Sequence, residues 1–445
     1  MNSMVAIEAQ RQRTAGKVPR QRMDTVRLLM WPALLPAVID YKPKGAQDWT
    51  AILYSALVVV SIASCFVIAG KYPNRKFRAV TTAGIVSLIF ALVAYSSGVF
   101  WGQEQVALVR SMSPILLFSV GIFLAGSLAN SGIPLSRIVD DILKVAATGL
   151  IVNLSLVAII NGIDFDTVRY QVLTAGAPLV CAHMVSLLLF GGWRPWNTLS
   201  SLLYASLVLI SVTRTQLAII GALLLFGLAF ASVKIARSKA LPLQFVALIA
   251  IVASVFLADA VLPTSPLARW EQRIFSADQH HGLDITTVTR VGETRYQIGK
   301  LKESVPGLMF GFGASAQNFY DGENARIIAL LLGTKAAYWT ETGVGHNNYV
   351  GTIYIGGIVA GGAMLLMQVF AFVKASYVLR RMASKNGVWI SSTIAAAPFG
   401  VVAFMTYGFL GGTMGGRSGC LLFGLSIGLT LCIAEMVKTG RNNTH

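Results

Sequence analysis

The sequence predicts an all-α membrane protein, a polytopic bundle of about 12 transmembrane helices with one long, partly helical loop on the outer side. Three observations support this fold class. Of the 445 residues, 55% are hydrophobic and only 12% are charged. The apolar residues fall in runs of about twenty, the length that a helix needs to cross roughly 30 Å of hydrocarbon. The basic residues are concentrated in alternate connections between those runs.

The candidate spans follow one another along the whole chain. They are predicted at about 26–39, 50–70, 79–101, 112–130, 145–162, 171–190, 198–213, 215–233, 240–262, 347–373, 388–410 and 418–437. The first is short and is interrupted by Pro32 and Pro36. The continuous apolar stretch 198–233 is divided at Thr213-Arg214-Thr215. A charge at mid-bilayer would cost about 2.5 to 3.5 kcal/mol, so we expect a tight hairpin that places Arg214 at the membrane surface.

The charge distribution predicts the orientation. With the N-terminus in the cytoplasm, the segments on that side hold 22 of the 36 Lys and Arg residues and five of the 19 Asp and Glu residues. The other side has 14 residues of each sign, so the entire net charge of +17 lies inside. This is the positive-inside pattern, and it predicts that both termini are cytoplasmic. It also accounts for the basic composition without a nucleic-acid partner.

These spans divide the chain into five predicted segments. Residues 1–27 are a basic cytoplasmic tail that we expect to be disordered, 28–262 carry spans one to nine, and 263–345 form the outer loop. Residues 346–437 carry the last three spans, and 438–445 form a second cytoplasmic tail. Apolar spacing predicts a loop helix on the membrane face from Val291 to Val305, ended by Pro306-Gly307. A turn at 311–313 and a short helix over 325–332 follow. All four cysteines lie in spans, so disulfides are not expected.

The outer face collects the candidate functional residues. On this topology it holds Arg169, Arg214, Arg290, Arg295 and His346. Arginine presents a permanent fork of donors that suits phosphate oxygens, and a diphosphate leaving group gains negative charge as its bond to sugar breaks. An imidazole, with an unperturbed pKa of about 6.5, can accept a hydroxyl proton at neutral pH. The set therefore suits displacement of a lipid diphosphate by a hydroxyl group.

Each of these residues also has a structural interpretation. An arginine at a helix end, such as Arg169, can extend to lipid headgroups instead of binding a substrate. Arg290 and Arg295 are about 140° apart around a helix, so both cannot face one ligand unless one lies beyond the helix end. Arg295 does share a face with Lys302, seven residues later. Arg290 and Arg295 could instead be solvated loop charges.

His346 and the possible metal ligands also have competing interpretations. His346 could cap the helix that begins near Asn347. His280-His281 could bind a metal, but adjacent side chains point apart. Asp164-Phe165-Asp166 has a spacing found in metal-dependent sugar transferases, although two acids at this spacing arise easily by chance. We therefore predict no metal and no cofactor.

Three sequence segments, mainly within 198–362, resemble the family of O-antigen ligases and O-antigen polymerases, bacterial membrane glycosyltransferases with a type C fold. The first segment is Thr213-Arg214-Thr215 at the hairpin tip. The second runs from Arg290 to Arg295 and is followed by Pro306-Gly-Leu-Met-Phe-Gly311-Phe-Gly313. The third is His346-Asn347-Asn-Tyr-Val-Gly-Thr-Ile-Tyr-Ile-Gly-Gly357-Ile-Val-Ala-Gly361. Their order and spacing together carry the resemblance.

The resemblance implies an undecaprenyl-diphosphate-linked glycan as donor, used on the periplasmic side of the bacterial inner membrane without nucleotide sugar or metal. Arg214 and one or both of Arg290 and Arg295 would bind the donor diphosphate. His346 would activate the acceptor hydroxyl or position the donor, and Asn347 would have a secondary role. In-line attack would invert the anomeric centre.

One departure from the family pattern bears on the acceptor. Ligases typically have His-Asn, nine residues and then Gly-x-x-Gly, whereas here Gly357 is followed at that spacing by Ala360, with Gly361 next. The arginine motif is also Thr-Arg-Thr rather than Ser-Arg. These differences favour a polymerase that joins repeat units over a ligase that transfers finished glycan to lipid A-core.

A secondary transporter is the alternative from another class, because twelve spans with both ends inside also describe many transporters. A transporter predicts ionisable residues at mid-membrane and two related halves. Asp259 and Glu435 both fall near span ends, and no repeat is evident. The sequence therefore favours the enzyme.

Overall fold

The computed structural model describes residues 20–39, 48–161, 173–192, 194–211, 213–230, 271, 285–320, 322–332, 341–384, 391–410, 414 and 416–439. Over these residues the chain is almost entirely helical, which confirms the predicted all-α class. Six described helical stretches are long and apolar enough to cross a membrane, which is consistent with the predicted membrane protein. The count of twelve spans stays a prediction, and the predicted span 240–262 lies outside the described residues.

The first half of the chain supplies nine helices within the described residues. They are α1 (Arg20–Ala33), α2 (Leu35–Val38), α3 (Asp48–Lys71), α4 (Arg78–Phe100), α5 (Gln105–Asn130), α6 (Leu135–Asn161), α7 (Ala177–Phe190), α8 (Pro195–Ser211) and α9 (Arg214–Phe230). The boundary between α8 and α9 falls at the predicted hairpin, and Arg214 is the first residue of α9. The Tyr204 hydroxyl on α8 donates to Gln216 Oε1 on α9 at 2.8 Å, so the chain turns back at the predicted division. The location of Arg214 at a membrane surface stays a prediction.

The second half contributes the described part of the loop and the last helices. These elements are α10 (Ile285–Glu303), α11 (Val305–Phe310), β1 (Gln317–Asn318), α12 (Gly322–Leu332), β2 (Glu341–Thr342), α13 (Asn348–Gly356), α14 (Gly362–Ser384), α15 (Ser392–Leu410) and α16 (Arg417–Thr439). A five-residue π-helical segment, Gly357–Gly361, joins α13 to α14. Strands β1 and β2 pair antiparallel over two residues each.

Helix α1 begins inside the segment that the sequence predicts as a disordered tail. It starts at Arg20, whereas the tail was expected to extend to residue 27. The Arg27 guanidinium donates to both carboxylate oxygens of Asp141 on α6, at 2.7 Å each. Asp141 is buried, and so is Val26 beside Arg27. Because a buried carboxylate needs a partner, this ion pair holds residue 27, the last of the predicted tail, against α6.

Helices α5 and α16 run parallel and approach each other closely. A Cβ at Gly121 would meet the Leu421 carbonyl oxygen, and one at Gly424 would meet the Phe118 carbonyl oxygen. Further along, a Cβ at Gly428 would meet the backbone of Ile122. Glycine on both helices lets the backbones approach closely, as is common in membrane helix pairs.

Hydrogen bonds join several of the described segments that were predicted to share one side of the membrane. Asn130 donates to the Pro73 carbonyl oxygen at 2.7 Å, and the backbone N–H of Ala79 donates to Glu435 at 2.6 Å. Near the start of α15, the Ser392 carbonyl accepts from Ser186 at 2.8 Å. We call the end with these segments the basic end, and the side of the membrane that it faces stays a prediction.

The described part of the long loop covers the other end, which we call the loop end. Ser97 donates to the Phe310 carbonyl oxygen at 2.7 Å, and the Trp101 indole N–H donates to the Gly311 carbonyl oxygen at 3.0 Å. Gln103 donates to the Phe312 carbonyl oxygen at 2.7 Å. The α4–α5 turn and the loop are therefore joined by hydrogen bonds to backbone carbonyls.

The predicted span 347–373 is not one continuous helix. At Gly357, where φ is 69°, α13 ends and the π-helical segment begins. The break leaves carbonyls without partners inside the helix, and the loop supplies the donors: the N–H of Phe312 reaches Tyr354 O at 2.8 Å, and that of Gly313 reaches Ile355 O at 3.1 Å. A Cβ on Gly357 would overlap the Met309 carbonyl group. The loop backbone is therefore docked directly on the helix break.

The loop helices lie close to their predicted positions. Helix α10 starts before the predicted 291–305 helix and ends at Glu303, and α12 begins three residues before the predicted 325–332 helix. Pro306-Gly307, predicted to end the loop helix, instead lie in the first turn of α11, where proline needs no N–H partner. Val291 and Ile298 are 38% and 39% exposed, whereas Leu301 is buried against the bundle. The exposed apolar positions are those expected of a helix at the membrane face.

Candidate functional site

The candidate site lies where the long loop enters α13. Asn347 is the N-cap of this helix, and its Oδ1 accepts from the N–H groups of Tyr349 at 3.0 Å and Val350 at 3.3 Å. A cap of this kind satisfies two N–H groups that have no partner in the first helical turn. The capping residue is thus Asn347, which leaves the imidazole of His346 available for another role.

His346 is paired with a buried carboxylate that the sequence analysis did not identify. Its Nδ1 lies 2.9 Å from Glu293 Oε2, and its backbone N–H donates to the same oxygen at 3.2 Å. The Glu293 side chain is only 6% exposed, whereas that of His346 is 36% exposed. The carboxylate of the pair is therefore buried in the protein, whereas the imidazole is partly exposed.

A group of buried polar side chains holds the residues before His346 against α10. Gln297 Nε2 donates to Asn318 Oδ1 at 2.9 Å and to the Val344 carbonyl oxygen at 3.2 Å. Asn318 Nδ2 donates to the Gly343 carbonyl oxygen at 3.0 Å. Gln297 lies one turn after Glu293 on the same helix face. The position of His346 is therefore determined by one face of α10.

The first turns of α13 are fixed on the side facing away from the loop. The Tyr349 hydroxyl donates to the Met405 carbonyl oxygen at 2.7 Å, and Asn348 Oδ1 accepts from the N–H of Met414 at 3.0 Å. Asn348 is buried. The helix that follows His346 is thus anchored to α15 and to the segment before α16.

The predicted arginine pair is divided between two sides of α10. Arg290 lies one turn before Glu293 and so shares the side that carries the His346 contact. Arg295 and Lys302 are exposed, on the side that carries Val291 and Ile298. The separation agrees with the 140° expected from the sequence spacing. Of these three cations, only Arg290 is on the His346 side.

Arg214 is the first residue of α9, a helix that packs against α14. The rings of Phe226 and Phe372 are 5.4 Å apart, and Arg380 lies over the Phe230 ring at 4.7 Å. These contacts advance in the same direction along α9 and α14, so the two helices run parallel. Arg214 is 12 residues before Phe226, so it lies level with about residue 360, 12 residues before Phe372. Its convergence with His346 stays a prediction. The Arg214 side chain is neither buried nor fully exposed.

The remaining predicted candidates lie outside the described residues. These are Arg169, the Asp164-Phe165-Asp166 segment and His280-His281. The structure therefore says nothing about a phosphate contact from Arg169 or a metal at either acidic or histidine segment. Within the described ranges, no group of three or more His, Cys, Asp or Glu side chains has an arrangement that could hold a metal ion.

Tyr296 and Lys300 line the neighbouring side of α10. The Tyr296 ring packs against Phe319 at 5.4 Å, and Lys300 lies 5.9 Å from the ring centre. Burial raises the pKa of the Tyr296 phenol, against the opposing effect of the Lys300 charge. A neutral phenol adds no negative charge that would repel an anionic substrate. Lys300 forms an exposed ion pair with Glu303, and this pairing raises the pKa of its ammonium group.

One signal in the sequence points to Glu293. At and just before the predicted loop helix, Arg290, Glu293 and Gln297 are spaced three and four residues apart, which places them on one face of a continuous helix. Two polar residues and a cation along the inner face of an amphipathic helix are unusual, because that face normally packs against the protein through apolar side chains.

No protein-family model matches this chain, and no curated protein matches it.

Proposed function

We propose that this chain is a glycosyltransferase of the bacterial inner membrane that moves a glycan from undecaprenyl diphosphate to a saccharide hydroxyl at the periplasmic face. One observation carries the proposal. A partly exposed histidine, hydrogen-bonded to a buried carboxylate, lies at the loop end of the bundle, on the same side of α10 as Arg290. We infer that Arg214, at the start of α9, joins this site. A base and two permanent cations at a membrane surface suit a reaction between a hydroxyl group and a lipid diphosphate.

In the proposed reaction the acceptor hydroxyl oxygen attacks the anomeric carbon of the donor. A new C–O bond forms as the bond between that carbon and the diphosphate oxygen breaks, and the configuration inverts. The hydroxyl proton passes to His346, while the electron pair leaves with the lipid diphosphate. Arg214 and Arg290 stabilise the charge that builds up on the diphosphate. Arg295 and Lys302 would contact only peripheral parts of the donor or nearby headgroups.

The acceptor that we favour is another lipid-linked repeat unit, which makes the enzyme an O-antigen or exopolysaccharide polymerase. Support comes from the spacing after His346-Asn347, where Ala360 occupies the position of the second ligase glycine. A ligase that transfers glycan to lipid A-core is the alternative outcome of the assay below.

The test is glycan transfer by purified protein in proteoliposomes containing lipid-diphosphate-linked repeat units, with and without lipid A-core. We expect longer chains without the core acceptor. His346→Ala should lower the rate by roughly 100-fold or more because the base is lost. Arg214→Ala should have a comparable effect. Arg214→Lys should lie between Arg214→Ala and the wild type, since a point charge replaces a two-pronged donor.

Arg110→Ala is the matched control, because Arg110 is an exposed arginine near the start of α5 at the same end of the bundle. It should transfer glycan at the wild-type rate. Unchanged transfer by both His346→Ala and Arg214→Ala would remove the mechanism. Transfer only to lipid A-core would replace the polymerase with a ligase.

A further inference from the structure

Glu293 makes two contacts to a single residue. Its Oε2 is 2.9 Å from the Nδ1 of His346 and 3.2 Å from the backbone N–H of the same residue. A carboxylate buried on the protein side and shared between the backbone and the ring of one histidine fixes both the place and the rotation of that ring.

Resting on the proposed function, we propose that Glu293 is a positioning residue that assigns the proton-accepting role to Nε2 of His346. An ionised carboxylate has only acceptor atoms, so Nδ1 must carry the hydrogen in this pair. The lone pair of the neutral ring is then on Nε2. When Nε2 takes the hydroxyl proton, the positive charge of the imidazolium develops next to the Glu293 carboxylate, which stabilises it.

The surroundings of Glu293 show that its position is constrained from two sides. A Cβ added to Gly345 would overlap Glu293 Oε1, so the carboxylate is in direct contact with the loop backbone. On the helix side, the Gln297 contacts to Asn318 and Val344 hold the same loop segment. Oε1 itself is buried and has no hydrogen-bond partner among the described residues. Burying a carboxylate that makes few hydrogen bonds costs stability, so Glu293 is better explained by its action on His346 than by a contribution to folding.

The charged and titratable groups near the pair come from two elements. On α10 they are Arg290, one turn before Glu293, and Tyr296, three residues after it. At the start of α13 the group is Tyr349, whose hydroxyl donates to Met405. Glu293 itself contacts the ring of His346, at 2.9 Å from Nδ1.

The kinetic test compares Glu293→Gln with Glu303→Gln, the same change on the same helix at an exposed position that pairs with Lys300. Glu293→Gln keeps an acceptor oxygen but removes the charge. We expect kcat to fall roughly 10- to 100-fold, as when the hydrogen-bond partner of a functional histidine is removed. KM for the lipid-linked donor should change less than about twofold, because the arginines are intact. Glu303→Gln should match the wild type.

A second readout requires no substrate. In protein labelled with ¹⁵N-histidine, the His346 signals, assigned by their loss in His346→Gln, should show a protonated Nδ1 and a non-protonated Nε2 in the neutral ring. A non-protonated Nδ1 would overturn the proposal, as would an unchanged kcat in a folded Glu293→Gln protein. If Glu293→Gln fails to fold, the wild-type spectrum still decides. Absence of glycan transfer by the wild type would refute the proposed function alone, because the spectrum tests the pair directly.

Discussion

Gly345 is the residue whose backbone geometry most directly constrains the site. Its φ is 73°, in the left-handed region that costs a residue with a Cβ about 1 to 2 kcal/mol. The space for that Cβ is also occupied by the Glu293 carboxylate. Glycine at this position therefore allows the chain to turn into α13 and lets the carboxylate reach His346.

Gly345→Ala should therefore lower activity more than it lowers stability. We expect a small fall in melting temperature from the strained backbone, together with a loss of glycan transfer greater than about tenfold, because Glu293 must move away from His346. Thermal unfolding followed by fluorescence and the proteoliposome assay measure the two effects on the same preparation.

Gly299→Ala is the control for this prediction. Gly299 is on the same helix as Glu293, its φ is helical, and a Cβ there would meet open space. Alanine should keep activity and slightly raise stability, since it is the better helix former. Equal activity in Gly345→Ala and Gly299→Ala would show that the carboxylate does not need its present position.

For single residues, the sequence predicts where a side chain lies along a helix better than it predicts which residue it contacts. Arg214 was expected at a helix start and is found there, because a charge between two apolar runs has only one inexpensive location. The cap role of Asn347 and the pairing of Glu293 could not be derived in the same way. They depend on the approach of α10 to the start of α13, more than 40 residues later in the chain, and local spacing does not encode that contact.

Among the elements, the broken helix at Gly357 has the largest effect on how the loop is placed. The break exposes the carbonyls of Tyr354 and Ile355, which accept from the loop N–H groups at 312 and 313. Unsatisfied backbone groups are costly away from water, so the loop and the break stabilise each other. The two glycine-rich segments that carry the family resemblance are thus in direct contact.

Gly357→Ala should loosen the loop. Its φ of 69° disfavours alanine, and the new methyl group would overlap the backbone at Met309 and Phe310. We expect a lower melting temperature and faster cleavage of the loop in limited proteolysis. Both measurements can be made in detergent without a substrate.

Gly362→Ala provides the contrast within the same segment. Gly362 is the first residue of α14, its φ is −61°, and the nearest atom to an added Cβ is a side-chain methyl at 4.0 Å. This change should leave proteolysis and melting unchanged or slightly improved. Equal loop cleavage in the two variants would mean that docking on the helix break does not hold the loop.

The sequence predicts most of the helices but not this break. Periodicity identified α10 and α12, because amphipathic spacing is a local property. Glycine within an apolar run is common in membrane helices, so Gly357 gave no clear indication of an end. The break depends on donors from the loop, which is a tertiary effect.

For the whole molecule, charge and hydropathy together predict the arrangement of the ends. The number of Lys and Arg residues in each connection predicted which connections share one side of the membrane. In the structure, hydrogen bonds from Asn130, Ala79 and Ser186 join several of these connections. Helix order and direction follow from span length and alternation. The sequence does not predict which helices pack together. Helices α5 and α16 are distant in sequence, and they meet through small residues of a kind that many spans contain.

The orientation in the membrane can be tested with single cysteines at the two ends. All four native cysteines are buried, so an impermeant thiol reagent should label the parent protein weakly. Glu303→Cys introduces a thiol at the loop end, where the native side chain is 63% exposed, and Lys76→Cys introduces one at an exposed position of the basic end. In intact spheroplasts we expect labelling of Glu303→Cys alone, and labelling of Lys76→Cys only after permeabilisation, because basic connections are retained in the cytoplasm. The opposite pattern would put His346 on the cytoplasmic side, where a periplasmic transfer reaction is impossible.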